Sequence, residues 1–214
     1  HIEDTVALRS AMEGVNYVIH LAARTHVMTD KSLDPLAEYR RINVEGTKAT
    51  VKAASEMGVK RLVFLSSIKV NGEQTAEQPY TSTDKPIPVD AYGISKAEAE
   101  EHIQSISAQS DLEMVVIRTP LVYGPNVRGN FLSLMSLVHK GLPMPFGAIT
   151  KNRRSLINVE KLVSALIATL QHTAASGQTF LVRDGTDLST AALTLRIQTA
   201  LNKPEKLISI PPGV

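Results

Sequence analysis

Arg61-Leu-Val-Phe-Leu-Ser-Ser67 is an unbroken apolar run closed by two serines. It has the length of a strand and no polar alternation, so it reads as a strand buried on both faces, the mark of a parallel sheet. Ser67 then stands at the carboxyl end of that strand, the edge where open α/β sheets take their ligands.

Working outward, Tyr17-Val-Ile-His-Leu-Ala22 is a second short strand, and Pro35 to Met57 reads as one long helix closed by Gly58. Asn71 to Asp90, interrupted by Pro79, Pro86 and Pro88, is a loop. Tyr92 to Gln109 is a helix rich in Ala and Glu, and Met114 to Arg118 returns to strand. This alternation predicts an α/β fold, a doubly wound parallel sheet with helices on its faces. After Pro120 the elements shorten. Phe131 to Lys140 and Val159 to His172 read as helices, Gly141 to Gly147 as an irregular crossing and Thr179 to Val182 as a strand. Ser189 caps a last helix through Leu201. Residues 1–125 are therefore expected to form the sheet domain, and residues 126–214 mainly a smaller lobe interleaved with it.

Composition narrows the function classes. A chain of 214 residues with 43% hydrophobic content can bury a real core. Its formal charge of +2 argues against a nucleic-acid footprint, despite a pI near 8.8. With no cysteine there are no disulfides or thiolate metal sites, which suits a cytoplasmic protein. No apolar run approaches the ~20 residues needed to cross a bilayer. None of the six histidines pairs at a metal-ligand spacing such as His-x-x-x-His.

The chemistry points to Tyr92-Gly-Ile-Ser-Lys96, 25 residues after Ser67. A tyrosine and a lysine four apart share one helix face. A phenol titrates near ~10, too high for a base at neutral pH, and a fixed ammonium beside it favours the phenolate. With a serine hydroxyl on the same substrate oxygen, this is a device for moving a proton on and off an alcohol.

These residues, with several ordered motifs around them, resemble the extended short-chain dehydrogenase/reductase family, specifically its NAD-dependent nucleotide-sugar epimerases and dehydratases of the UDP-glucose 4-epimerase type. The resemblance runs through His20-Leu-Ala-Ala23, Asn43-Val-Glu-Gly46, Leu65-Ser-Ser-Ile-Lys-Val-Asn-Gly72, the Tyr92/Lys96 pair and Arg118-Thr-Pro-Leu-Val-Tyr-Gly-Pro125. It implies a Rossmann-like sheet with catalytic Ser67, Tyr92 and Lys96. It implies contacts to NAD (or NADP) from Leu21, Ala22, Ala23, Asn43, Ser66, Tyr92, Lys96, Pro120 and Val122. Asn130, Phe146 and Arg154, with Ser67, would bind a UDP-sugar, the guanidinium of Arg154 forking onto the diphosphate. Ile68 and Lys69 stand where the dehydratases usually carry Asp-Glu, which argues against elimination of water. The Ser-Ser-Ile-Lys-Val-Asn-Gly form is most similar to O-antigen enzymes acting on UDP-N-acetylhexosamines, as 4-epimerases or 4-keto reductases. The resemblance also implies a homodimer through the 35–57 and 92–109 helices.

Some readings stay open on the residues alone. Asn43 either bends its helix or holds a water. Asn130 is either a helix-start residue or a phosphate contact, and Arg154 either solvated beside Arg153 or a clamp. His20 reads as a packed strand histidine, and His26 as a distant sugar contact. A non-catalytic dinucleotide-binding module is the alternative from another class, but its mark, a broken Tyr-x-x-x-Lys, is not present. The 12 glycines contain no Gly-x-Gly pair, so the phosphate-cradling turn is missing. The chain is accordingly read as a piece without its amino-terminal glycine motif, inactive by itself, with NAD and NADP undistinguished.

Overall fold

The structure is a computed structural model that describes residues 2–25 and 32–210; His1 and His26 lie outside the described residues. The chain divides into two compact units, residues 1–120 with 162–182 and residues 121–161 with 183–214. In chain order the elements are α1 (Thr5–Met12), β1 (Tyr17–His20), α2 (Pro35–Tyr39), α3 (Gly46–Glu56), β2 (Arg61–Ser67), α4 (Ala91–Ser107) and β3 (Glu113–Thr119). There follow β4 (Leu121–Tyr123), α5 (Gly129–His139), β5 (Leu156–Asn158), α6 (Val159–Gln171), β6 (Thr179–Leu181) and α7 (Thr190–Ala200). Most of α6, together with β6, belongs to the first unit.

The first unit is built on one parallel sheet in the order β1-β2-β3-β6. Thr179–Leu181, grouped with the later lobe on sequence, is thus its fourth strand. Register follows the alternation of side chains. Even-numbered Leu62, Phe64, Met114 and Val116 pack with Met12, Val51, Ala54, Ala99 and Ile103 from α1, α3 and α4. Odd-numbered Val63, Val115 and Ile117 are fully buried on the opposite face. There Arg61 reaches across to the carbonyls of Thr169, Leu170 and His172, at 2.8, 3.0 and 2.8 Å, closing the carboxyl end of α6. Helices therefore lie on both faces, and the doubly wound reading holds.

The helix predicted over residues 35–57 is continuous but uneven. Asp34 caps its start, accepting from Ala37 N–H at 3.0 Å, and Pro35 sits in the first turn. Arg40–Glu45 then forms a π-helical turn before α3 resumes, with helical dihedrals at both junctions. At the far end Gly58 takes φ +71°, Val59 N–H bonds to Ala54 and Gly58 N–H to Ser55. That is a Schellman close, which glycine enters without strain.

In the second unit β4 and β5 pair in parallel, two three-residue strands too short to be seen in the sequence pattern. Packing there centres on Val138, Met144 and Ile197, joined by Phe131, Met135, Phe146 and Leu193. Ser189 caps α7 as expected, accepting from Ala192 N–H at 3.1 Å.

Candidate active site

At the carboxyl end of β2 the chain turns through a 3-10 segment, Ile68–Val70, capped by Ser67, whose hydroxyl accepts from Lys69 N–H at 3.3 Å. The same hydroxyl acts on the phenol of Tyr92, favouring its charged form. Local chemistry delivers Tyr92 to this point. Asp90 caps α4 by accepting from Gly93 N–H at 2.7 Å, and its other oxygen holds Lys69 Nζ at 3.0 Å. Lys69 also pairs with Glu73. A Cβ on Gly93 would stand 2.8 Å from the Lys69 carbonyl oxygen. Only glycine lets the first turn of α4 sit so close, which explains the residue after the tyrosine.

Lys96, 2% exposed, lies one turn further along α4. Its ammonium donates to the Leu65 carbonyl at 2.8 Å and rests 4.3 Å from the centroid of the Phe64 ring. Burial lowers its pKa to about 8, against the opposing pull of Glu100, so it still carries a proton at neutral pH. The Tyr92 phenol is displaced the other way. Burial raises its pKa, the Ser67 hydroxyl opposes this, and the Asp90 charge and Tyr39 add to the rise. The sequence expectation that Lys96 makes this phenol more acidic is corrected here. Desolvation dominates, and the ammonium donates to a backbone carbonyl.

His20, at the end of β1, stacks on Phe64 at 5.5 Å and is joined to the Thr47 hydroxyl through Nε2 at 2.9 Å. Burial, then the Lys96 charge, lowers its pKa to about 4. It is the packed, neutral strand histidine that the sequence suggests. Beyond it Leu21 and Ala22 are exposed and Ala23 partly so.

Asn43 makes contacts that neither open reading named. It sits in the π-helical turn, 1% exposed. Its Oδ1 accepts from Arg24 N–H at 2.7 Å, and its Nδ2 donates to the Arg24 carbonyl at 3.1 Å and to the Ser95 hydroxyl at 2.9 Å. It brackets the segment after β1 and ties it to α4.

Ser66 points into a network that sequence reasoning missed. Its hydroxyl donates to Glu100 Oε1 at 2.5 Å, so the side chain serves this carboxylate and not the Ser67–Tyr92 pair. Arg118 forks onto Glu100 through Nε at 3.1 and 3.2 Å and through a terminal nitrogen at 2.6 Å. Its other terminal nitrogen donates to Asn71 Oδ1 at 2.9 Å, and Asn71 donates to the Thr81 carbonyl at 2.9 Å. Two signals were available. Glu100 follows Lys96 by four residues, on the same helix face, and Arg118 interrupts a buried strand, where a charge needs a partner.

The remaining predicted residues are dispersed. Pro120 ends the first unit and Val122 lies in β4, both partly buried. Within the second unit Asn130 is exposed in the first turn of α5, and Phe146 packs in the core. Arg154 is exposed, its backbone paired with Leu188 at 2.8 and 3.1 Å. None of these three lines the unit's cleft of about 450 Å³, which is walled by Tyr123, Phe131, Met135, Lys161, Asp184 and Arg196 among others. There Tyr123 stacks on Phe131 at 5.7 Å and donates to Asp184 at 2.7 Å, with Lys161 3.0 Å from the same carboxylate.

Comparison with known proteins gives this frame its family. The chain belongs to the NAD dependent epimerase/dehydratase family, whose model matches residues 1–182. It is 46% identical over 201 residues to a UDP-glucose 4-epimerase of Vibrio cholerae, a match covering 94% of this chain and 61% of that protein. It is 28% identical over 212 residues to the N-acetyl-alpha-D-glucosaminyl-diphospho-ditrans,octacis-undecaprenol 4-epimerase of Escherichia coli O157:H7, covering 98% and 62%. The chain thus spans about three fifths of the length of these curated relatives. Among solved structures, the UDP-glucose 4-epimerase of Thermotoga maritima with UDP-glucose matches with a TM-score of 0.80 at 22% identity, over 99% of this chain and 71% of that one. The Bordetella bronchiseptica enzyme WbmG with NAD and UDP matches at 0.79 and 24%, over 100% and 66%. At these identities the likeness establishes the fold, a Rossmann-like α/β sheet.

Proposed function

We propose that this chain belongs to an NAD-dependent nucleotide-sugar 4-epimerase, with Ser67, Tyr92 and Lys96 as its catalytic residues. The observation that carries the reading is the placement of Ser67 at the carboxyl end of β2, its hydroxyl acting on the Tyr92 phenol, one helical turn before a buried ammonium. The names of the two 4-epimerase relatives support it. The residues present fit the nicotinamide-ribose half of the cofactor. Ala22 and Ala23 offer small side chains just beyond the carboxyl end of β1, and Lys96 follows Tyr92 by one turn of α4. The chain holds no Gly-x-Gly turn to cradle phosphates. Bound there, NAD would supply reversible hydride acceptance from the sugar carbon.

In this reading Tyr92 acts as the phenolate, reached only after it loses a proton that its burial here favours keeping. It then takes the proton of the C4 hydroxyl and later returns it, while Ser67 hydrogen-bonds the reacting oxygen. Lys96 holds the nicotinamide ribose, a role supported by the fixed position its donation to the Leu65 carbonyl gives the side chain. Asn43 keeps the cofactor-facing segment in register through Arg24 and Ser95. Ser66 has only its backbone to offer the cofactor. Asn130, Phe146 and Arg154 are proposed for the nucleotide-sugar, with an N-acetylhexosamine substrate of surface-polysaccharide synthesis as the finer reading. A cytoplasmic homodimer through the helices of residues 35–57 and 92–109 completes the proposal, and sedimentation reads the oligomeric state.

The test is a chimera in which the Vibrio cholerae relative supplies the segments outside the matched region. It is expected to interconvert UDP-hexose 4-epimers. Tyr92→Phe should cut turnover by a general acid–base factor on the order of 10²–10⁴ with substrate affinity little changed. Unaltered turnover in that variant removes Tyr92 from the mechanism. Stoichiometric oxidation of NADH or NADPH with a 4-keto sugar would instead identify a reductase.

A further inference from the structure

We propose that Glu100, clamped by Arg118, is a positioning residue that keeps a countercharge behind Lys96 and anchors α4 to the ends of β2 and β3. The geometry is a buried set with every member engaged. Glu100 and Arg118 are 3% and 4% exposed. The carboxylate accepts from the Ser66 hydroxyl and from two nitrogens of the guanidinium, and the third nitrogen is held by Asn71. Ser66 and Arg118 are directly paired across β2 and β3. Glu100 thus bonds to side chains from two adjacent strands at the level just before Ser67. Because it follows Lys96 by four residues on α4, fixing Glu100 fixes the turn that carries the lysine.

The electrostatic consequence follows from what surrounds Lys96. From β2 it meets the Leu65 carbonyl and the Phe64 ring. From β1 the nearby titratable group is His20, which is neutral. From β3 comes Arg118, a cation, behind Glu100. On its own helix the groups are Tyr92, a neutral phenol, and Glu100. The single anion among them is Glu100, the group that opposes the effect of burial on Lys96. Without that anion, Arg118 and Lys96 would be two cations facing the same strand ends.

The positioning role rests on the part proposed for Lys96, but its test does not need turnover. In the 214-residue chain with [¹³C]lysine, the Lys96 signal is identified by its loss in Lys96→Arg and titrated by NMR. Glu100→Gln keeps an acceptor for Ser66 and Arg118 while removing the charge. It is expected to lower the Lys96 midpoint by about one pH unit or more. Arg118→Gln leaves the carboxylate alone with the ammonium and is expected to move the midpoint upward. Both variants loosen the same network, so a purely structural role would not give shifts of opposite sign. An unmoved midpoint in Glu100→Gln, or shifts of one sign in both, overturns the inference. A failed Tyr92→Phe test in the chimera would sink the functional reading and leave this titration standing.

Discussion

Two adjacent regions of the sheet end handle buried charge in opposite ways. Around Ser66 the charges of Glu100 and Arg118 are closed on each other with a full set of hydrogen bonds. Around Ser67, Lys96 is as deeply buried but meets a carbonyl and an aromatic face, His20 is kept neutral, and the Tyr92 phenol is held above its usual range. A single step along β2, from one serine to the next, separates them. The paired region fixes geometry. The other holds titratable groups without an ion-pair clamp like that of Glu100 and Arg118, the setting that proton-transfer chemistry uses.

The contrast can be broken from the paired side first. Arg118→Gln leaves a carboxylate buried without its cation and should cost about 3–5 kcal/mol of unfolding free energy, read as a lower urea midpoint. A loss near zero would mean that the network is solvated in solution. The second test works on the Ser67 side. The folded-state pKa of His20, about 4, lies below the ordinary 6.5. Between these values the unfolded chain binds the proton and the native one does not, so stability falls as pH drops through this window, by roughly 3 kcal/mol in full. His20→Gln should flatten that dependence, measured as the difference between urea curves at pH 7 and pH 4.5. Smallest is the comparison of the serines. Ser66→Ala should cost about 1–3 kcal/mol because a buried carboxylate loses a donor, whereas Ser67→Ala should change stability by less than that. Equal losses would erase the distinction.

The sequence made one of these regions legible and hid the other. The apolar run at 61–67 showed the strand, and Tyr92 and Lys96 showed themselves by spacing. Gly58 and Ser189 marked helix ends through local chemistry, which needs no tertiary context. Glu100 escaped because an acidic residue in an Ala- and Glu-rich helix reads as solvent-facing; only the strand pairing that sets Arg118 beside Ser66 reveals its partner. The direction of the Tyr92 shift escaped for a related reason, since helical spacing reports reach but not desolvation. The strands at 121–123 and 156–158 are too short for any period to show.

The wide turn at Arg40–Glu45 has a consequence for how this rod can vary. Upstream of it Tyr39 meets the ring of Tyr92 at 6.1 Å, and downstream Val51 and Ala54 seal the sheet. Winding all six residues evenly as α-helix would swing everything beyond by about 100° around the axis. Val51 and Ala54 would leave the interior while Tyr39 stayed put. The wide turn absorbs one extra residue and so lets one rod satisfy two neighbours, and deleting a single residue there should keep both faces in phase.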